Sequence, residues 1–91
     1  MINVPKYEFM GPNTTGEALK TREFLHEILQ KDHQAEICLR HMSDIDLAGF
    51  NLLISTFIQA EREGKQIRYS RAQLPKLNLL ADLTQFHHVF A

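Results

Sequence analysis

The chain has 91 residues, 44% apolar and 23% charged, with a formal net charge of −1. That length suits one domain with its own core and is too short for an enzyme with a cleft between two domains. The 10 basic and 11 acidic residues are interspersed, which leaves no broad field to attract nucleic acid or anionic lipid.

No apolar run has the length that spans a bilayer. The start, MINVPKYEFMG, lacks the charged, apolar and small-residue segments of a signal peptide, and the single cysteine, Cys38, excludes an internal disulfide. Cytoplasmic residence is the expectation.

In KYEFM, 6–10, Tyr7 and Phe9 alternate with Lys6 and Glu8, the pattern of a strand covered on one side, and Pro5 suits its start or an edge. GPN, 11–13, is turn chemistry. TTGE, 14–17, has the form of a capping box with Thr14 as N-cap and Glu17 three residues on. A helix follows through Leu19, Phe24, Leu25, Ile28 and Leu29 as far as Lys31, and KDHQ reads as a loop.

AEICLR, 35–40, alternates again, with Ala35, Ile37 and Leu39 opposed to Glu36, Cys38 and Arg40. From Asp46 the stripe Phe50, Leu53, Ile54, Phe57 and Ile58 predicts a helix to about Glu63, closed by Gly64. QIRYS, 66–70, is a third strand. Pro75 opens a last helix through Leu77, Leu79, Leu80 and Leu83, with Phe86, Val89 and Phe90 packing at its end. Strand and helix thus alternate three times, and right-handed crossovers make neighbouring strands parallel, an α/β arrangement. Because the strands alternate instead of running continuously apolar, the helices are expected mainly on one face.

Order and local phrases together resemble the STAS domain, the module named after sulfate transporters and anti-sigma-factor antagonists. The phrases are Ile45, Asp46, Leu47, Ala48 and Gly49 before an apolar helix, Gly64 and Lys65 entering a strand, and LLADLTQFHHVF at 79–90. The resemblance covers nearly the whole chain and implies a single STAS-like domain over 1–91, with a mixed β-sheet and helices mainly on one face. It departs from the family in two places. The antagonists carry a phosphorylated hydroxyl residue beside the aspartate, where this chain has Leu47 or Ala48, and Gln85 stands where glycine is frequent.

Asp46 reads as a helix N-cap, and Gly49 as a position permitting close approach of another chain. By resemblance, an exposed loop from Ser43 to Gly49 and the start of the next helix form a docking surface. Its candidate residues are Ser43, Asp44, Asp46, Leu47, Ala48, Gly49 and Asn51. The implied partner is an anti-sigma-factor kinase or a transporter ATPase. The alternative is a subunit of an ABC-type lipid transporter complex.

Other chemistry is poorly supported. Asp44 and Asp46 invite Mg²⁺ or acid–base work, but the sequence fixes no third carboxylate or catalytic lysine near them. Adjacent His87 and His88 diverge, His26, His33 and His41 are scattered, and Cys38 reads as a packing residue. Lys65, Arg68, Arg71 and Lys76 read as solvated charges at strand and loop edges. Ser43 lies on the approach to Asp46, away from the family's phosphoacceptor place. The expectation is a non-catalytic chain with no cofactor or metal.

Overall fold

The computed structural model describes residues 3–70 and 72–90. Three strands, β1 (Lys6–Glu8), β3 (Gln34–Cys38) and β5 (Gln66–Ser70), pair in parallel in the order β1-β3-β5. Their alternation resolves into one covered and one open face. Ala35, Ile37, Ile67 and Tyr69 are buried and Tyr7 is half-buried, whereas Lys6, Glu8, Gln34, Gln66 and Arg68 are exposed. The covered face receives α1 (Ala18–Lys31) and α2 (Leu47–Arg62). Leu25, Ile28 and Leu29 of the first and Phe50, Leu53 and Ile54 of the second fill the core. Between β5 and α2 the buried Tyr69 hydroxyl donates to the Leu53 carbonyl at 2.7 Å, and burial holds its phenol protonated well above the usual range. The α/β class with helices on one face stands.

A second parallel pair replaces two stretches read as non-strand. GPN is not a reversing turn but β2 (Gly11–Asn13), which pairs with β4 (Met42–Ile45) in a separate two-stranded sheet. The strand pairings therefore fall in two parallel sheets instead of one. Gly11, at φ 88°, turns the chain out of the first sheet at the corner after Phe9, a conformation glycine adopts without steric cost. Its turn chemistry was legible; its use as a corner was not.

The capping box does not form. Thr14 makes no side-chain cap, and Thr15–Glu17 is a 3-10 turn leading into α1. Glu17 pairs with Lys20 at 3.6 Å instead. The helix faces are also narrower than the apolar pattern suggests: Leu19, Ile58, Leu79 and Leu83 are exposed, and Phe57 is half-buried. In α3 (Pro75–Thr84) the inward residues are Leu77 and Ala81, and at about 100° per residue Leu79 and Leu83 lie on the far side from Leu77.

The last helix closes as a glycine would close it, but on Gln85 at φ 62°. The Phe86 N–H reaches back to the Ala81 carbonyl at 2.9 Å, the hydrogen bond of a left-handed helix end. Phe86, Val89 and Phe90 then fold under, and Phe90 bridges to Tyr69 at the β5 edge. A side chain in this conformation carries strain of about 1 kcal/mol that glycine lacks. Gln85→Gly is therefore expected to raise stability by up to about 1 kcal/mol, and Gln85→Val to lower it, in urea titrations followed by circular dichroism.

Candidate docking site

Where β4 ends, Asp46 leaves the strand in extended conformation and caps α2. Its Oδ1 accepts the Gly49 N–H at 2.9 Å, and its carbonyl accepts the Phe50 N–H at 2.9 Å. Oδ2 turns the other way and accepts both the N–H and the hydroxyl of Thr15, each at 2.8 Å. One carboxylate thus joins the start of α2 to the turn that precedes α1.

Beneath it lies Asn13, fully buried at the end of β2. Its Nδ2 donates to the Gly49 carbonyl at 3.1 Å, and its own carbonyl accepts the Asp46 N–H at 3.4 Å. A Cβ on Gly49 would stand 1.9 Å from the Asn13 carbonyl oxygen. The glycine is therefore a spacing requirement: strand end and helix start touch only because that side chain is missing.

Asp44 is engaged separately. Its Oδ1 accepts the Ile45 N–H at 2.8 Å and the Lys76 ammonium at 2.9 Å, which ties β4 to the first turn of α3. The Lys76 hydrogen bond, with that of Ile45, holds the Asp44 carboxyl below its ordinary value, and the bond to Asp44 raises Lys76 in turn. Asp46 is lowered as well, chiefly by the Gly49 N–H and then by the Thr15 N–H and hydroxyl. Both carboxylates are held as anions that accept fixed hydrogen bonds, which is not the poise of a general acid or base near neutral pH.

The segment expected as an exposed loop from Ser43 to Gly49 is a strand end followed directly by a helix. Ser43 is exposed on β4, Asp44, Asp46 and Ala48 are half-buried, and Gly49 is inside. Leu47 is 57% exposed at the first position of α2, and Asn51 is exposed one turn later on the same side. The structure brings Asp44, Asp46, Leu47, Ala48 and Asn51 to one corner and withdraws Gly49 from it.

Thr15, Asn13 and Lys76 complete that corner and were not read as parts of it. TTGE reads as a capping box on Thr14, but it is the N–H and hydroxyl of Thr15 that are used, donating to Asp46, 31 positions on. Of the basic residues at strand and loop edges, Lys65 reaches the Leu29 carbonyl and Glu63, Arg68 stands on the open sheet face, and Lys76 holds Asp44. Arg71 lies outside the described residues. Among the described residues, no group of three or more His, Cys, Asp or Glu side chains is placed to hold a metal ion.

No family model matches the sequence, and no curated protein matches it. Solved structures do. The anti-sigma factor antagonist SpoIIAA in its unphosphorylated form superposes with a TM-score of 0.67 at 12% identity, covering 100% of this chain and 83% of that one. The Bacillus cell fate determinant SpoIIAA in its phosphorylated form gives 0.72 at 9% identity, covering 100% and 85%. A sulfate transporter family protein from Wolinella succinogenes gives 0.69 at 22% identity, covering 93% and 69%. This chain has the STAS fold. At these identities the likeness is one of backbone fold.

Two outcomes test the corner. Gly49→Ala is expected to cost about 3 kcal/mol or to prevent folding, because the Asn13 backbone has no room to yield, whereas Gly16→Ala, with open space around it, leaves the urea midpoint nearly unchanged. The second is a pH dependence. Asp46 is lowered in the folded state, so its stabilisation is present above the unfolded value of about 3.9 and is lost as pH falls through the folded value. Thermal unfolding between about pH 5 and pH 2 should show the melting temperature falling less steeply in Asp46→Asn than in the parent, with the Asp44 contribution left in both.

Proposed function

We propose that this chain is a non-catalytic protein-interaction module of the bacterial cytoplasm, and that its partner docks on the start of α2. The observation that carries the reading is Leu47, more than half exposed on a backbone fixed by the Asp46 cap. Asn51 is exposed one turn further along α2, and the Asp44–Lys76 pair ties the strand before it to α3; in this reading Ser43 and Ala48 belong to the same surface. One exposed leucine is ordinary on a protein surface, and Leu19, Leu79 and Leu83 are exposed as well; what singles out Leu47 in this reading is its place at the helix start that follows the Asp46 cap. The partner in this reading is an ATPase of the anti-sigma-factor kinase type, the assignment favoured by the fold shared with an anti-sigma factor antagonist.

SpoIIAA occurs in unphosphorylated and phosphorylated forms. Here Leu47 and Ala48 offer no hydroxyl beside Asp46, so in this reading binding is not switched by phosphate at those two positions. The same leucine supports a second reading, a permanently covered contact in an ABC-type lipid transporter complex, with a transporter ATPase as neighbour. The two differ in how the partner is held, either reversibly or as a stoichiometric subunit that survives purification.

The test is affinity capture from the native host followed by calorimetry with the purified partner. Leu47→Glu places an acid in the first turn of α2, where it is compatible with the helix dipole, and Asn51→Arg alters an exposed position. Both are expected to keep the melting temperature near the parent's and to weaken binding at least tenfold, about 1.4 kcal/mol. Unchanged affinity in both folded variants would move the interface elsewhere.

A further inference from the structure

β1 is an edge strand with one side committed and the other free. Glu36 N–H donates to the Pro5 carbonyl at 2.9 Å and Phe9 N–H to the Cys38 carbonyl at 3.0 Å, with Lys6 level with Glu36 and Glu8 level with Cys38. In a parallel ladder this turns the main-chain groups of Pro5, Tyr7 and Phe9 towards β3 and those of Lys6 and Glu8 outward. Among the described residues, the outward groups of Lys6 and Glu8 make no backbone hydrogen bond.

The side chains on this edge follow a charge-reversed palindrome, Lys6-Tyr7-Glu8. We propose that a second copy of this chain pairs here antiparallel, about a two-fold axis at Tyr7, joining two three-stranded sheets into one continuous sheet. In that register Lys6 stands opposite Glu8 of the second copy, and Glu8 opposite its Lys6. Both are pairs of the type that exchange two backbone hydrogen bonds, so the outward groups of each strand are satisfied together. The same pairs set opposite charges face to face on the open side of the sheet.

Three further observations fit this register. Lys6 makes no ion pair among the described residues, and both contacts of Glu8, with Arg40 and His41, use Oε1 and leave Oε2 free. Val4 and Met10 are exposed, Met10 by 67%, and the register that sets 6 against 8 also sets 4 against 10. On the covered side Tyr7 and Phe24 meet edge to face at 6.4 Å, and both are only half-buried, so the symmetry-related pair lies where they remain uncovered. Charged residues on a free edge also keep other strands away. Opposite signs at positions matched by a two-fold axis are what a paired edge requires.

Sedimentation of the full chain from about 10 μM to about 1 mM, the range in which a contact of a few strand residues shows itself, tests the proposal. The parent is expected to form dimers. Lys6→Glu sets acid against acid across the axis and Glu8→Lys sets lysine against lysine, so each variant alone should associate at least tenfold more weakly, with circular dichroism confirming the fold. An equimolar mixture of the two should recover the dimer, because both acids of the first variant's strand then face lysines of the second's. If either single variant is unfolded, the double exchange Lys6→Glu with Glu8→Lys is expected to restore both pairing and association. A parent monomeric throughout, single variants that dimerise as it does, or a mixture of folded variants that stays monomeric would each overturn the proposal. These substitutions lie on β1, so loss of the dimer does not bear on docking at Leu47.

Discussion

The contact between Asn13 and Gly49 is the constraint on which the rest of the molecule depends. Because position 49 has no Cβ, the end of β2 reaches the first turn of α2, and Asn13 can bond the Gly49 carbonyl from a fully buried position. That approach places the Thr15 donors within reach of Asp46, so a single carboxylate fastens α2 to the turn before α1. A side chain at 49 would separate strand from helix, and with them the hydrogen bonds that cross the gap. Asn13 is buried with its Nδ2 bonded to the Gly49 carbonyl and its Oδ1 without a hydrogen-bond partner among the described residues, so that one bond carries the cost of holding the amide inside.

The alternation in the strands is a consequence of where the helices are. Parallel sheets usually hide both faces, yet here, among the described residues, the face carrying Lys6, Glu36 and Arg68 in one register row leaves Lys6 and Arg68 exposed and Glu36 half-buried. The row alternates in sign, positive, negative, positive, which is the arrangement that neighbouring strands tolerate in water. On the other face the core is tied crosswise by Tyr69, whose ring stacks on Phe90 at 5.5 Å while its hydroxyl holds the Leu53 carbonyl. The sheet therefore has one face for folding and one left to solvent, and its β1 edge belongs to neither.

How much of this could be read from the residues depended on the distance over which each signal acts. The strands of the three-stranded sheet, the helices, the Asp46 cap and the left-handed end at Gly64 are local: period, cap and turn chemistry lie within a few residues, whereas the left-handed end on Gln85 carries no such signal, since glutamine does not favour that conformation. β2 and β4 are short and far apart in the chain, and GPN carries the same turn residues whether it reverses a chain or bends it between sheets. Leu79 and Leu83 share a helix with Leu77, and only the packing of α3 decides which side is wet. At the candidate site the cap was legible because it is written in a few consecutive residues. Thr15, Asn13 and Lys76 were not, because their partners are more than thirty positions away.

The two proposed surfaces rest on different forces, and that difference follows from side chains already placed. At the start of α2, Lys76 already satisfies Asp44, and Asp46 spends both oxygens on internal donors. What remains for a partner is mainly the apolar area of Leu47, and fully burying a leucine is worth about 1.5–3 kcal/mol, little affected by salt. At the β1 edge the unpaired groups are main-chain donors and acceptors with exposed charges of both signs, whose attraction weakens as ions screen it over about 8–10 Å. Added salt should therefore loosen association along β1 while leaving contact at Leu47 nearly as it was. A self-contact that yields to salt and a partner contact that does not can operate on one small chain without competing, because the Asp46 tether keeps the α2 corner fixed whether the edge strand is paired or free.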